Sequence, residues 1–108
     1  MSSKREKEYR VQLTPSLLTV VIFPDESKFG AKCLELDLIT EDDTPDKALT
    51  SIVEMIREYA EDYNQRFERF SESPNRAHHK PYVQRILNCE NDWEVLEVTE
   101  VKYSSLQL

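Results

Sequence analysis

Six carboxylates crowd one short reach of the chain: Glu35, Asp37, Glu41, Asp42, Asp43 and Asp46. Grouped carboxylates can hold paired divalent metals that stabilise the attacking and leaving oxygens in phosphodiester cleavage. Most of these acids, however, fall in the turn before a helix, where capping and hydration account for them. A hydrated acidic edge and a face for a basic partner are the two readings that remain. A second acidic run, Glu90, Asp92, Glu94, Glu97 and Glu100, meets no base until Lys102. Beside the first run in a sheet, it would form one negative surface that speeds association with a cationic protein.

The other reactive residue types give weaker signals. His78 and His79 sit in a polar stretch with Arg76 and Lys80. Adjacent histidines point apart in extended chain and make poor joint ligands, so a solvated loop is expected over metal or phosphate contact. No serine has the context of a nucleophile, and Gly30, the sole glycine, cannot build a phosphate-binding loop. Cys33 and Cys89 come with no second CxxC and no histidine ligand set. They read as reduced thiols, Cys33 packed as a small apolar residue, and Trp93 reads as core. No catalytic residue, cofactor or metal is expected, and the chain is expected not to be an enzyme.

The elements that must carry these residues are organised around Thr44 to Phe70. Thr44 can cap a helix, Pro45 suits its first position, and Asp46 favours the positive end of its dipole. Leu49, Ile52, Val53, Ile56, Tyr59, Ala60, Tyr63, Phe67 and Phe70 then fall within an arc of roughly 120° at helical spacing. Glu54, Arg57, Glu58, Glu61, Asp62 and Glu68 lie outside it. Before this helix, Tyr9–Leu13, Leu17–Phe23 and Phe29–Leu34 read as strands, the last two joined by the polar turn 24–28. Leu34, Leu36 and Leu38 form one apolar parity while Ala31 and Cys33 lie on the other, which predicts a bulge or bend near Cys33–Leu34. After the helix, Ser71–Asn75 is a loop, Tyr82, Val83, Ile86 and Leu87 fit a short helical turn, and Trp93–Tyr103 is the last strand candidate.

The sum is an α+β fold: a small antiparallel sheet, β-β-β-α-β, with one long helix across one face. One domain is expected over residues 1–108, with a core from about 9 to 103 and flexible ends at 1–8 and 104–108. The helix outruns its sheet, spanning about 39 Å against a sheet about 15–20 Å wide. Tyr63, Phe67 and Phe70 would overhang and need cover, from residues 82–103 or from a second subunit. The latter makes them candidate contacts of a homodimer or higher oligomer.

A formal net charge of −7 disfavours generic binding to nucleic acid and favours a basic protein partner. The longest apolar-rich run, Leu17 to Phe23, is far short of a membrane span. A soluble, cytoplasmic protein without membrane contact is expected.

Between Thr19 and Tyr63 the sequence resembles the HicB-like antitoxin family. Thr19-Val20-Val21-Ile22-Phe23 with Pro24-Asp25-Glu26 looks like the family's first strand and acidic turn. Phe29 to Leu36 looks like its second strand, running into a C-x-E-L-like corner. Asp43-Thr44-Pro45-Asp46-Lys47-Ala48-Leu49 looks like its D-T-x-x-E-A-L helix start, with Lys47 where an acid is usual, and Ile52, Ile56 and Tyr59 match the helix spacing. The resemblance implies a degenerate ribonuclease-H-like β-β-β-α-β domain. It also implies a non-enzymatic role, that of an antitoxin blocking a small basic ribonuclease toxin of the HicA type. Glu35, Asp37, Asp42 and Asp43 are then the candidate partner-binding residues. No DNA-binding segment of the kind many members carry follows the helix, so DNA binding is not expected. The alternative is an orphan domain of this type acting as a homo-oligomeric structural or regulatory protein.

Overall fold

The computed structural model describes residues 17–104. The expected strand Tyr9–Leu13, the expected flexible segment 1–8 and all but Ser104 of the expected flexible segment 104–108 lie outside the described residues. The chain starts with a hairpin, β1 (Leu18–Asp25) and β2 (Lys28–Cys33), paired so that Asp25 faces Lys28. Glu26, the first of the two turn residues, takes φ 58°. That left-handed conformation lets a two-residue turn follow the strand twist, and costs a non-glycine residue of order 1 kcal/mol.

Four turn residues, 34–37, lead to β3 (Leu38–Asp42), antiparallel to β2. The expected bulge is this turn. Leu36 is buried in the core while Leu34 points outward, 49% exposed. Asp37 closes the turn with φ 56°, a conformation aspartate tolerates better than most residues.

Helix α1 (Pro45–Gln65) starts as its sequence predicts: Thr44 Oγ1 accepts the Lys47 N–H at 3.1 Å. It does not continue to Phe70. Arg66 leaves helical geometry (φ −115°, ψ 39°), and a separate turn of helix, α2 (Phe67–Ser71), follows. The break swings the aromatic end back on itself, placing the Phe70 ring 5.6 Å from the Tyr63 ring between centroids. A 3₁₀ turn (Ala77–His79) and α3 (Lys80–Leu87) then fold over the far half of α1 and bury Val83 and Ile86 against it. The overhang is therefore covered in part by residues 76–87 of the same chain, which bury Tyr63 and screen Phe70 while Phe67 stays 40% exposed. Tyr63, expected at an oligomer contact, is only 1% exposed and donates its hydroxyl to the Arg76 carbonyl at 3.0 Å.

The region 93–103 is not one strand. Asp92–Glu97 is a helix, α4, and only β4 (Thr99–Tyr103) is extended. Asn91 Oδ1 accepts the Glu94 N–H at 3.0 Å, while the Glu94 carboxylate reaches back to the Glu90 N–H at 2.7 Å. This reciprocal cap fixes the helix start. Trp93, expected in the core, stands on α4 with 69% exposure, because α4 turns Val95 inward instead.

The sheet order is β3-β2-β1-β4, and β4 runs parallel to β1. The sheet is thus mixed and not purely antiparallel. The reason is the connection: helices carry the chain from the end of β3 back to its starting side, so the next strand repeats the direction of β3 and β1. Leu18, Val20, Ile22, Ala31 and Cys33 face α1, which answers with Ala48, Ile52, Val53, Ile56 and Ala60. None of the described helices lies on the other sheet face. Across that face run the rows Lys102–Val21–Lys32–Ile39 and Phe23–Gly30–Glu41.

Candidate partner-binding surface

The four acids expected to meet a partner are not brought together: Glu35 and Asp37 lie at one end of the strands, Asp42 and Asp43 at the other. Glu35 is used inside the fold: its Oε1 accepts the Thr19 N–H at 2.7 Å and its Oε2 accepts the Thr19 hydroxyl at 2.8 Å, tying the β2–β3 turn to β1. Asp37, in the same turn, is exposed and lies 3.6 Å from the Lys32 amine. Asp42 and Asp43 are at the opposite end of the strands. Asp42 latches β3 to α1, accepting the Asp43 N–H at 2.8 Å and the Ser51 hydroxyl at 2.9 Å. These two donors, the Asp43 amide first, hold its carboxyl below the usual range. Asp43 is exposed, 3.9 Å from Lys28.

At that second end, sheet pairing adds acids that sequence spacing did not join. Asp25 and Glu41 point to the same open face from β1 and β3, with Glu26 in the adjoining turn. Glu41 is pushed above its ordinary value by a side-chain hydrogen bond to Asp25 and then by the repulsion of that carboxylate. The signal was the parity of residues 21, 23 and 25, which becomes readable once the hairpin register is known. The later acidic run does not extend this surface. β4, carrying Glu100, is at the opposite edge from β3, and Asp92 is engaged by Arg57 at 2.9 Å.

A cleft of about 620 Å³ lies at the first end, where Leu34 to Leu38 face Tyr59, Pro74 to Arg76, His78 and His79. His79 is not a solvated loop residue: it is 5% exposed, with Nδ1 2.6 Å from the Tyr59 hydroxyl. Burial, then the neighbouring His78 and Arg76, lower its pKa, which favours the neutral ring beside the tyrosine hydroxyl. The Arg76 guanidinium stacks over Phe70 at 4.8 Å and Tyr59 at 5.6 Å. His78 remains exposed. Cys33 is fully buried, and burial pushes its thiol up to about 11. Among the described residues, no three His, Cys, Asp or Glu side chains are grouped to hold a metal ion, and no helix is long and apolar enough to cross a membrane.

A crystal structure from Syntrophomonas wolfei subsp. wolfei, described as the antitoxin part of a proposed toxin/antitoxin system, shares this fold. Its TM-score is 0.72 at 21% identity, over 96% of this chain and 74% of the other. No curated protein matches the sequence. The model of one family, PHD-like, described as antitoxins of RelE/RelB toxin–antitoxin systems, matches residues 14–101. That match covers most of the 108 residues, and the chain belongs to this family of antitoxins.

Proposed function

We propose that this chain neutralises a small basic toxin protein by binding it, without catalysing a reaction of its own, in the cytoplasm. The observation that carries the reading is the antitoxin family match over residues 14–101. The net charge of −7 supports a cationic partner, since complementary charge raises the encounter rate. The family's description favours a toxin of the RelE kind. A second reading, a basic ribonuclease of the HicA kind, is favoured by the three strands, long helix and returning fourth strand, which agree with the HicB-like resemblance although shorter helices intervene between α1 and β4.

Co-expression with a small basic toxin, of the RelE kind or of the HicA kind, tests the proposal. The two should co-purify, and the chain should relieve the growth arrest that protein causes alone. Failure to form a complex at micromolar concentration sinks the antitoxin reading. Rescue from one toxin kind and not the other decides between the two readings. A homodimer through the distal end of α1 would have to use Phe67, 40% exposed, and the half-buried Phe70. Sedimentation of the Phe67→Asp, Phe70→Asp variant at unchanged mass rules that dimer out.

A further inference from the structure

The sheet face turned away from α1 is unlike an ordinary solvated face. Ile39, the second residue of edge strand β3, is 57% exposed, and Val21 and Phe23 on β1 are only half-buried. No described helix covers them. Beside them, the Phe23 ring lies on the backbone of Gly30: a Cβ built on Gly30 would fall 2.4 Å from Phe23 Cζ. The sole glycine of the chain thus lets an aromatic ring settle flat across the strand pair.

The next acids on this face are Asp25 on β1 and Glu41 on β3, both exposed, and their like charges repel. Lys28, opposite Asp25 in the hairpin, is drawn to Asp43 at 3.9 Å with both side chains largely exposed, a weak pair. An incoming guanidinium or ammonium would relieve the repulsion, and would gain two carboxylates at once. Lys32 and Lys102 flank Val21 in the middle row. The face therefore has an acidic end and a basic centre, which fixes a partner's orientation.

We propose that this sheet face is where the toxin docks, with Val21, Phe23 and Ile39 making the apolar contact and Asp25 with Glu41 receiving a lysine or arginine of the toxin. This rests on the antitoxin reading above, and commits to the basic toxin as occupant because an acidic chain with two exposed, like-charged carboxylates beside an apolar patch complements a cationic surface.

The experiment is a calorimetric titration of the full chain with the small basic toxin that it rescues in the co-expression test, or, if it rescues neither kind, with both the RelE-kind and the HicA-kind toxin. Three face variants are compared: Ile39→Asp, Gly30→Ala, and Asp25→Asn combined with Glu41→Gln. Glu58→Lys, on the exposed face of α1, is the control. Thermal melts of each variant establish that it is folded. Gly30→Ala displaces only the tip of the Phe23 side chain, and Asp25 and Glu41 are exposed, so at least two variants probe a folded protein. Ile39→Asp should weaken binding at least ~30-fold, and the double carboxamide variant ~10-fold with a flatter salt dependence, while the control binds as the parent. Binding of all three face variants as tight as the parent's overturns the docking face and leaves the antitoxin reading standing. No binding by the parent chain removes the antitoxin reading and the inference with it. A dimer of the chain alone that Ile39→Asp dissolves assigns the face to a second copy and overturns the inference.

Discussion

The Tyr59 hydroxyl sits 2.6 Å from His79 Nδ1, joining the middle of α1 to the 3₁₀ turn that covers its far end. The imidazole is buried and neutral in the folded protein, and in the unfolded chain it titrates at its ordinary value. The groups facing it are Tyr59 from α1, Arg76 and His78 from its own loop, and Asp37 from the β2–β3 turn.

The sign of the pH effect follows from that depressed value. Below the unfolded-state value near 6.5, the unfolded chain binds the proton first. Stability from His79 is therefore complete above 6.5 and is lost as pH falls through the lower folded-state value. Urea unfolding between pH 8 and pH 5 should show this loss in the parent, and a smaller one in His79→Gln. An equal pH dependence in both proteins contradicts the assignment. Glu41 acts in the opposite sense, its raised value making the folded protein prefer the proton, so Glu41→Gln should be the more stable protein at pH 7.

Glu35 distinguishes structure from recognition. Its carboxylate satisfies both the Thr19 amide and the Thr19 hydroxyl. Glu35→Ala should cost about 1.5–3 kcal/mol in denaturant unfolding, the range for hydrogen bonds to a charged group. Toxin binding by the folded fraction should be unchanged. Loss of binding with parental stability would instead return Glu35 to the contact surface.

The Arg66 break implies that the far end of α1 is stabilised within the chain. Tyr63→Ala should destabilise the fold by about 3–5 kcal/mol, as deletion of a buried aromatic does. Tyr63→Phe, which loses only the bond to the Arg76 carbonyl, should cost about 1 kcal/mol. A Tyr63→Ala protein as stable as its parent would show the aromatic end to be unpacked.

Thiol reactivity follows burial. Cys33, fully buried with its thiol pushed up to about 11, should resist iodoacetamide at pH 8 until the protein unfolds. Cys89 is only partly buried, though its thiol too is raised by burial, and should react slowly. Mass spectrometry finding native Cys33 alkylated first would contradict the packing.

Much of this architecture was legible in the residues. Thr44, Pro45 and Asp46 marked the start of α1, and its apolar stripe from Ile52 to Tyr63 is the core face. The hairpin was readable from alternation and its polar turn. What escaped was context. Trp93 to Val98 has strand-like composition, and only the local bonds of the Asn91-x-x-Glu94 cap turn it into a helix. The parallel β4 follows from the path of the helices, which spacing in one dimension does not encode. The acids divided for the same reason: sheet register sent Asp42 toward Ser51, and Glu41 to the open face beside Asp25. His79 looked solvated because its cover, Tyr59, lies twenty residues earlier in the chain.

The most direct test is a titration of this chain into small basic toxins of the RelE kind and of the HicA kind, at low and at high salt. With one of them the chain should form a saturable complex of defined stoichiometry that weakens as salt rises, because complementary charge drives the encounter. Absence of any saturable binding to either toxin at either salt concentration, with the proteins folded, would contradict the antitoxin reading.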